Sequence, residues 1–130
     1  MAPSKRPGRL PSGLRVLLVE DEIMIALLLE EELAALDCQV IGPIGRLDKA
    51  LEIAQREAVD VGILDVNING NEVYPVAEVL AARGIPFVFV TGYGRQGLRA
   101  PYRDSPTLQK PFQFHDLQRA IEEACIAKRN

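Results

Sequence analysis

A chain of 130 residues, 48% hydrophobic and 25% charged, fits one domain of ordinary size and is too short for two. That balance excludes disordered, collagen-like and disulfide-rich classes. A net charge of −3 argues against nucleic-acid binding, because releasing counterions from phosphates needs an excess of Lys and Arg.

In chain order, Met1 to Gly13 holds three prolines, two glycines and three basic residues without periodicity, and reads as a flexible arm (1–13) ahead of a domain over 14–130. The basic start leads into no apolar signal core, and no apolar run is long enough to cross a bilayer. A cytoplasmic protein with no membrane partner is expected. Val16 to Val19 is an all-apolar run of the kind buried on both faces of a sheet, and it ends in Glu20, Asp21 and Glu22. A helix over about 22–36 follows, with Ile25, Leu29, Leu33 and Leu36 on one face, then a strand over 39–44. A second helix, about 46–57, places Leu47, Ala50, Leu51 and Ala54 on a stripe, and a third strand over 60–64 ends at Asp65. Asn67, Asn69, Gly70 and Asn71 read as a turn.

Val73, Val76, Ala77 and Leu80 give the stripe of a third helix closed by Gly84, and 86–90 is a strand ending at Thr91. Gly92, Gly94 and Gly97 weaken the helix that should come next, each costing about 1 kcal/mol against Ala. A fifth strand over 107–109 ends at Lys110, and a last helix carries Phe114, Leu117, Ala120, Ile121 and Ala124. The count is five strands alternating with five helices, which predicts a doubly wound five-stranded parallel sheet with helices on both faces. Cys38 and Cys125 lack any metal-ligand spacing and are expected as buried thiols in a reducing cytosol.

The polar residues then fall into place. Glu20 and Asp21 end strand one, Asp65 strand three, Thr91 strand four and Lys110 strand five. Two carboxylates about 5 Å apart repel by roughly 3 kcal/mol at an effective dielectric near 20, so such a cluster calls for a cation. Oxygen donors without His or Cys suit Mg²⁺, which bridges readily to phosphate. In transfer of a phosphoryl group to a carboxylate, Asp65 is the expected nucleophile, and Asp21, with Glu20 acting through water, holds the metal. Lys110 pairs with one phosphoryl oxygen, the Thr91 hydroxyl donates to another, and Gly92 leaves room for the group.

Four motifs in order carry a resemblance: Leu17-Leu18-Val19-Glu20-Asp21-Glu22, Ile63-Leu64-Asp65-Val66-Asn67, Val90-Thr91-Gly92 and Lys110-Pro111-Phe112. From about Leu14 to Lys128 the chain resembles the bacterial response-regulator receiver (CheY-like) family, of the stand-alone single-domain type. The resemblance implies a flavodoxin-like receiver fold, Asp65 as phosphoacceptor, and Asp21, Asp65 and the Asn67 backbone carbonyl as metal ligands. It implies a cis Lys110-Pro111 bond and a histidine kinase or phosphotransfer protein as donor. A downstream protein target is expected on the face of the fourth helix, fifth strand and fifth helix. Phe89-Val90-Thr91-Gly92-Tyr93-Gly94 is similar to the signature of the FAT GUY single-domain receivers. The family's aromatic switch position, three residues before the lysine, is Thr107 here, so Tyr93 is the candidate to carry an equivalent rearrangement. The Met-Pro pair usual after the phosphoacceptor is replaced by Ile68-Asn69.

Two other functions compete. A degenerate receiver would bind a partner without phosphorylation, but it should have lost an Asp, Thr or Lys that this chain keeps. A phosphatase with an aspartyl nucleophile places that residue after the first strand, whereas Asp65 follows the third. The chain is therefore expected to be a switch and not a dedicated metabolic enzyme. His115 reads as an exposed or capping residue, and Arg95, Arg99 and Arg103 as a solvated face.

Overall fold

The computed structural model describes residues 10–129. Its main sheet holds β1 (Arg15–Val19), β2 (Gln39–Ile44), β3 (Val61–Asp65), β6 (Phe87–Thr91) and β7 (Thr107–Gln109). These strands are all parallel, in the order β2-β1-β3-β6-β7. The helices are α1 (Ile23–Ala35), α2 (Leu47–Arg56), α3 (Tyr74–Ala82) and α4 (Phe114–Arg129). Chain order reverses between β1 and β3, so the loops leaving these neighbours diverge and open a crevice at their carboxyl ends.

Strand alternation divides the core. Leu17, Val19, Leu64 and Phe89 point to one face, where Ala50, Ala54, Val76, Ala77 and Leu80 of α2 and α3 cover them. Val16, Leu18, Val61, Ile63, Val88 and Val90 point to the other, against Leu29 and Leu33 of α1 and Leu117, Ile121 and Ala124 of α4. The central strands β1 and β3 are thus buried on both sides, which their continuous apolar runs predict. Ile25 and Leu36 are only half-buried on the expected α1 stripe, and Ala26 joins it.

Three expectations are corrected. The helix expected after β6 is not an α-helix. Two 3₁₀ turns, η1 (Gly94–Gly97) and η2 (Ala100–Tyr102), stand in its place, so α-helices number four among the described residues. The three glycines and Pro101 leave too few helix formers for a longer run. The expected turn at 67–71 is a small antiparallel hairpin, β4 (Asn67–Ile68) and β5 (Asn71–Glu72). Its two-residue loop has Asn69 at φ 52° and Gly70 at φ 84°, the left-handed pair that matches the twist of a tight hairpin. Cys38 and Cys125 are half-buried rather than buried. Burial, then Asp37 and Cys125, push the Cys38 thiol up to about 11.

Of the expected arm, residues 1–9 lie outside the described residues. Leu10 packs half-buried against the α1/α4 side of the core, Ser12 donates to the Asp37 carboxylate, and the Gly13 N–H donates to the Asp37 carbonyl at 2.8 Å. No helix among the described residues is long and apolar enough to cross a membrane.

On the α2/α3 face Tyr74, Phe87, Phe89 and Tyr102 form an aromatic cluster. Tyr102 stacks on Tyr74 with centroids 5.2 Å apart, and Phe89 meets both edge-on. The cluster seats η2 on α3 and β6. Thr107 pairs with Phe89 on the adjacent strand and so lies on the same face of the sheet, but its hydroxyl donates locally to the Ser105 carbonyl at 2.8 Å.

Candidate functional site

At the carboxyl ends of β1 and β3 the chain brings together four of the expected residues. β1 runs into Glu20, which is 3% exposed, and then into exposed Asp21. β3 ends on Asp65, 6% exposed. Lys110 leaves β7 and reaches across, its Nζ 2.9 Å from Asp65 Oδ2, 3.1 Å from Glu22 Oε1 and 3.6 Å from Glu20 Oε1. The Lys110 backbone N–H donates to the Thr91 carbonyl at 2.9 Å, so β6 and β7 are tied where their polar residues begin. The Lys110–Pro111 bond is cis, as expected, and so is Gly42–Pro43, which was not anticipated.

Each carboxylate has a backbone amide as well. Asn67 N–H donates to Asp65 Oδ1 at 3.0 Å, Glu22 N–H to Glu20 Oε2 at 3.0 Å, and Asn69 N–H to Asp21 Oδ2 at 2.8 Å. The hairpin absent from the sequence reading thus fastens Asp21 to the loop that follows Asp65. The Asn67 side chain turns the other way and accepts from Gly70 N–H at 3.0 Å.

Electrostatics follow from this crowding. Burial first, and then the neighbouring Asp65 carboxylate, push Glu20 up to about 8. Burial works against the Lys110 ammonium, yet its hydrogen bonds to Asp65 and Glu22 overcome that and hold its pKa above the usual lysine range. One ammonium thus faces three carboxyl groups, and the most buried of them, Glu20, meets the crowding by holding its proton more tightly.

Ligand oxygens of Glu20, Asp21 and Asp65 all lie within 4.8 Å of one another. Glu20 Oε1 is buried without a hydrogen-bond partner, a costly state for a carboxylate oxygen. An all-oxygen donor set with an orphaned buried acceptor fits a hard divalent cation.

Thr91, 4% exposed, ends the neighbouring strand, and its hydroxyl oxygen accepts from Tyr93 N–H at 3.1 Å. A Cβ on Gly92 would meet nothing within 4 Å, so the space at Gly92 itself is open. Tyr93 is 81% exposed and is not drawn into the pocket, and half-buried Thr107 is occupied with its own turn. His115 is exposed, 3.3 Å from Asp116. Of the three arginines, Arg103 bonds the Leu98 carbonyl and Arg99 pairs with Glu72 at 2.5 Å, while Arg95 is exposed.

Two contributors escape sequence reasoning. Glu22 looks like a helix-start acid, but it is a partner of Lys110. Gly97 looks like a helix breaker. A Cβ there would lie 2.9 Å from both Thr91 Oγ1 and Tyr93 Cβ, so only glycine lets η1 settle against the threonine.

Comparisons with known proteins agree with this arrangement. A family model described as the response regulator receiver domain matches residues 16–122. SdrG from Sphingomonas melonis Fr1 is 38% identical with a TM-score of 0.77, over 93% of this chain and 100% of that one. A structure of SdrG in its BeF3-activated conformation is 40% identical, with a TM-score of 0.75 over 89% and 99%. The response regulator PhyR from Brucella abortus is 25% identical with a TM-score of 0.80, covering 94% of this chain and 51% of that one. The transcriptional regulatory protein PdtaR of Mycobacterium tuberculosis is 33% identical over 114 residues, 85% of this chain and 56% of the relative. The chain thus spans about half the length of that curated relative. With the family model matched along most of its length, the chain belongs to the response-regulator receiver family, whose members are signalling switches of two-component systems rather than metabolic enzymes.

Proposed function

We propose that this chain is a phosphorylation switch that accepts a phosphoryl group on Asp65 from a phosphohistidine of a histidine kinase or phosphotransfer protein. The observation that carries the reading is the Asp65 carboxylate itself. It is nearly buried at the end of β3, held at one oxygen by Asn67 N–H and at the other by Lys110, with open space at Gly92 at the end of the neighbouring strand.

In the transfer an Asp65 oxygen attacks phosphorus and the donor's P–N bond breaks. The electron pair leaves on the imidazole nitrogen, which regains a proton from solvent. The pocket positions and neutralises; it supplies little covalent chemistry of its own. Lys110, already at Asp65, pairs with a phosphoryl oxygen, and the Thr91 hydroxyl donates to another on exchanging its contact with Tyr93 N–H. Asp21, Asp65 and the Asn67 carbonyl would hold Mg²⁺, with Glu20 acting through water. The ion would neutralise the developing charge on the phosphoryl oxygens.

A protein donor also suits the surroundings. Ile23 and Met24, 75% and 78% exposed, begin α1 beside the pocket, and Leu27 and Leu28 continue an apolar patch. Phosphorylation brings about two negative charges next to Lys110 and Thr91 and biases the segment that follows. A near-complete shift from 1:99 to 99:1 needs about 5.5 kcal/mol of differential stabilisation. The face of η1, η2, β7 and α4 is the proposed surface for a downstream protein, and Tyr93 the side chain that moves. Unchanged phosphorylation-dependent partner binding in Tyr93→Ala would remove it from that role.

The test is incubation with Mg²⁺ and acetyl phosphate, read by intact mass beside Asp65→Asn and with chelator. A phosphoryl adduct that needs both Mg²⁺ and Asp65 is expected. No adduct, even with a panel of histidine kinases, would leave a protein-binding module that works without phosphorylation.

A further inference from the structure

We infer that Glu22 is a positioning residue that holds the Lys110 ammonium against the pull of a phosphoryl group, and so lowers the pocket's hold on that group. The inference rests on the phosphoacceptor reading of Asp65.

A lysine has three N–H donors and no more. Lys110 gives one to Asp65 at 2.9 Å and one to Glu22 at 3.1 Å, and the Glu20 oxygen stands farther off at 3.6 Å. Asp65 and Glu20 are fixed, buried parts of the pocket floor. Glu22 is different. Its side chain is 62% exposed, and it occupies the N-cap of α1 without making a side-chain cap bond there. Its carboxylate spans the mouth of the pocket to the lysine of β7 rather than serving its own helix.

A phosphoryl group on Asp65 raises the negative charge beside Lys110 from one to about two and asks the ammonium for a new hydrogen bond. Glu22 opposes this by occupying a donor of the same ammonium. Removing it frees Lys110 without touching the acceptor, the cation donors or Thr91.

Beryllofluoride, a tetrahedral stand-in for the phosphoryl group, separates sharing from plain charge repulsion. With Mg²⁺ present it is titrated into isotope-labelled wild type, Glu22→Gln and Glu22→Asp, reading the Lys110 and Thr91 amides by NMR. In Glu22→Gln the half-saturating concentration should fall about fivefold, the upper range for an exposed ion pair. Glu22→Asp should show a similar gain, because the shorter side chain keeps its charge but turns back to cap α1. Equal half-saturation in all three proteins would overturn the inference, and so would a gain in Gln that is absent in Asp, which assigns the effect to charge alone. A merely structural role would move the urea midpoint and leave half-saturation where it was, again overturning it. A wild type that takes up neither beryllofluoride nor a phosphoryl group from acetyl phosphate would sink the phosphoacceptor reading, and this inference with it. Uptake by wild type without change in the variants sinks the inference alone.

Discussion

The two halves of the segment from Thr91 to Tyr102 are anchored by different physics. In the far half Leu98 is buried in the core, and the Arg99 guanidinium lies 4.6 Å from the Tyr74 ring centroid while pairing with Glu72. The Arg99 N–H donates to the Tyr74 hydroxyl at 2.9 Å, and Tyr102 stacks on the same ring. In the near half the residues are mostly exposed, three are glycines, Gly94 lies against the Gln109 side chain, and Tyr93 N–H donates to Thr91 Oγ. A change in charge at Asp65 thus meets a segment pinned at one end by aromatic packing and held at the other by close backbone approach at Gly94 and Gly97 and the hydrogen bond from Tyr93 N–H to Thr91 Oγ. The near half is where a response can be accommodated at small cost.

Removing the aromatic anchor should have the largest effect. Phe89→Ala deletes the ring that touches both Tyr74 and Tyr102, and should cost about 3–5 kcal/mol in urea unfolding. A loss below about 1 kcal/mol would mean that the cluster does not hold the far half. A smaller effect sharpens the near half. Gly97→Ala forces a methyl against Thr91 Oγ and Tyr93 Cβ, and should cost about 1–3 kcal/mol as overpacking. The same variant should slow phosphoryl uptake from acetyl phosphate, because the displaced hydroxyl is the one proposed to meet the phosphoryl oxygen. Unaltered uptake kinetics would show that Thr91 tolerates the crowding. The smallest effect tests the side of the sheet remote from the aromatic cluster. Cys38 has its pKa raised to about 11 by burial, so less thiolate is present at pH 8 than for an ordinary thiol. In a Cys125→Ser background its alkylation should be slow at pH 8, accelerate as the pH approaches 11, and stay indifferent to phosphorylation. Labelling that responds to acetyl phosphate would carry the change well beyond the near half.

Much of this molecule is legible in its sequence because a parallel sheet leaves so clear a trace. Val16 to Val19 and Val61 to Leu64 are apolar throughout since both faces are covered, and polar residues resume where each strand leaves the core. The meeting of Glu20, Asp21, Asp65 and Lys110 follows from strand order and can be anticipated. The rest depends on contacts that no local pattern announces. Strands of two residues are too short to show alternation, so Asn69-Gly70 reads as a turn when it closes a hairpin. Tyr74 begins a helix just before Pro75, and nothing near it predicts a hydrogen bond from Arg99, 25 residues away. Glu22 is hidden for the opposite reason, since an acid at a helix start already has a sufficient local explanation.

The amide of Asn69 on Asp21 links two equilibria. Among the described contacts, Asp21 Oδ2 is committed to a loop that begins at Asp65, so closing that loop and occupying Asp21 with the proposed cation would be coupled. Whatever tightens the hairpin pre-pays part of the ordering that the cation would otherwise have to supply. Whatever loosens it is felt as weaker binding, although no hairpin side chain need touch the ion. The Asn69-Gly70 tip would thereby become a variable in the dissociation constant of the proposed cation at the other side of the pocket.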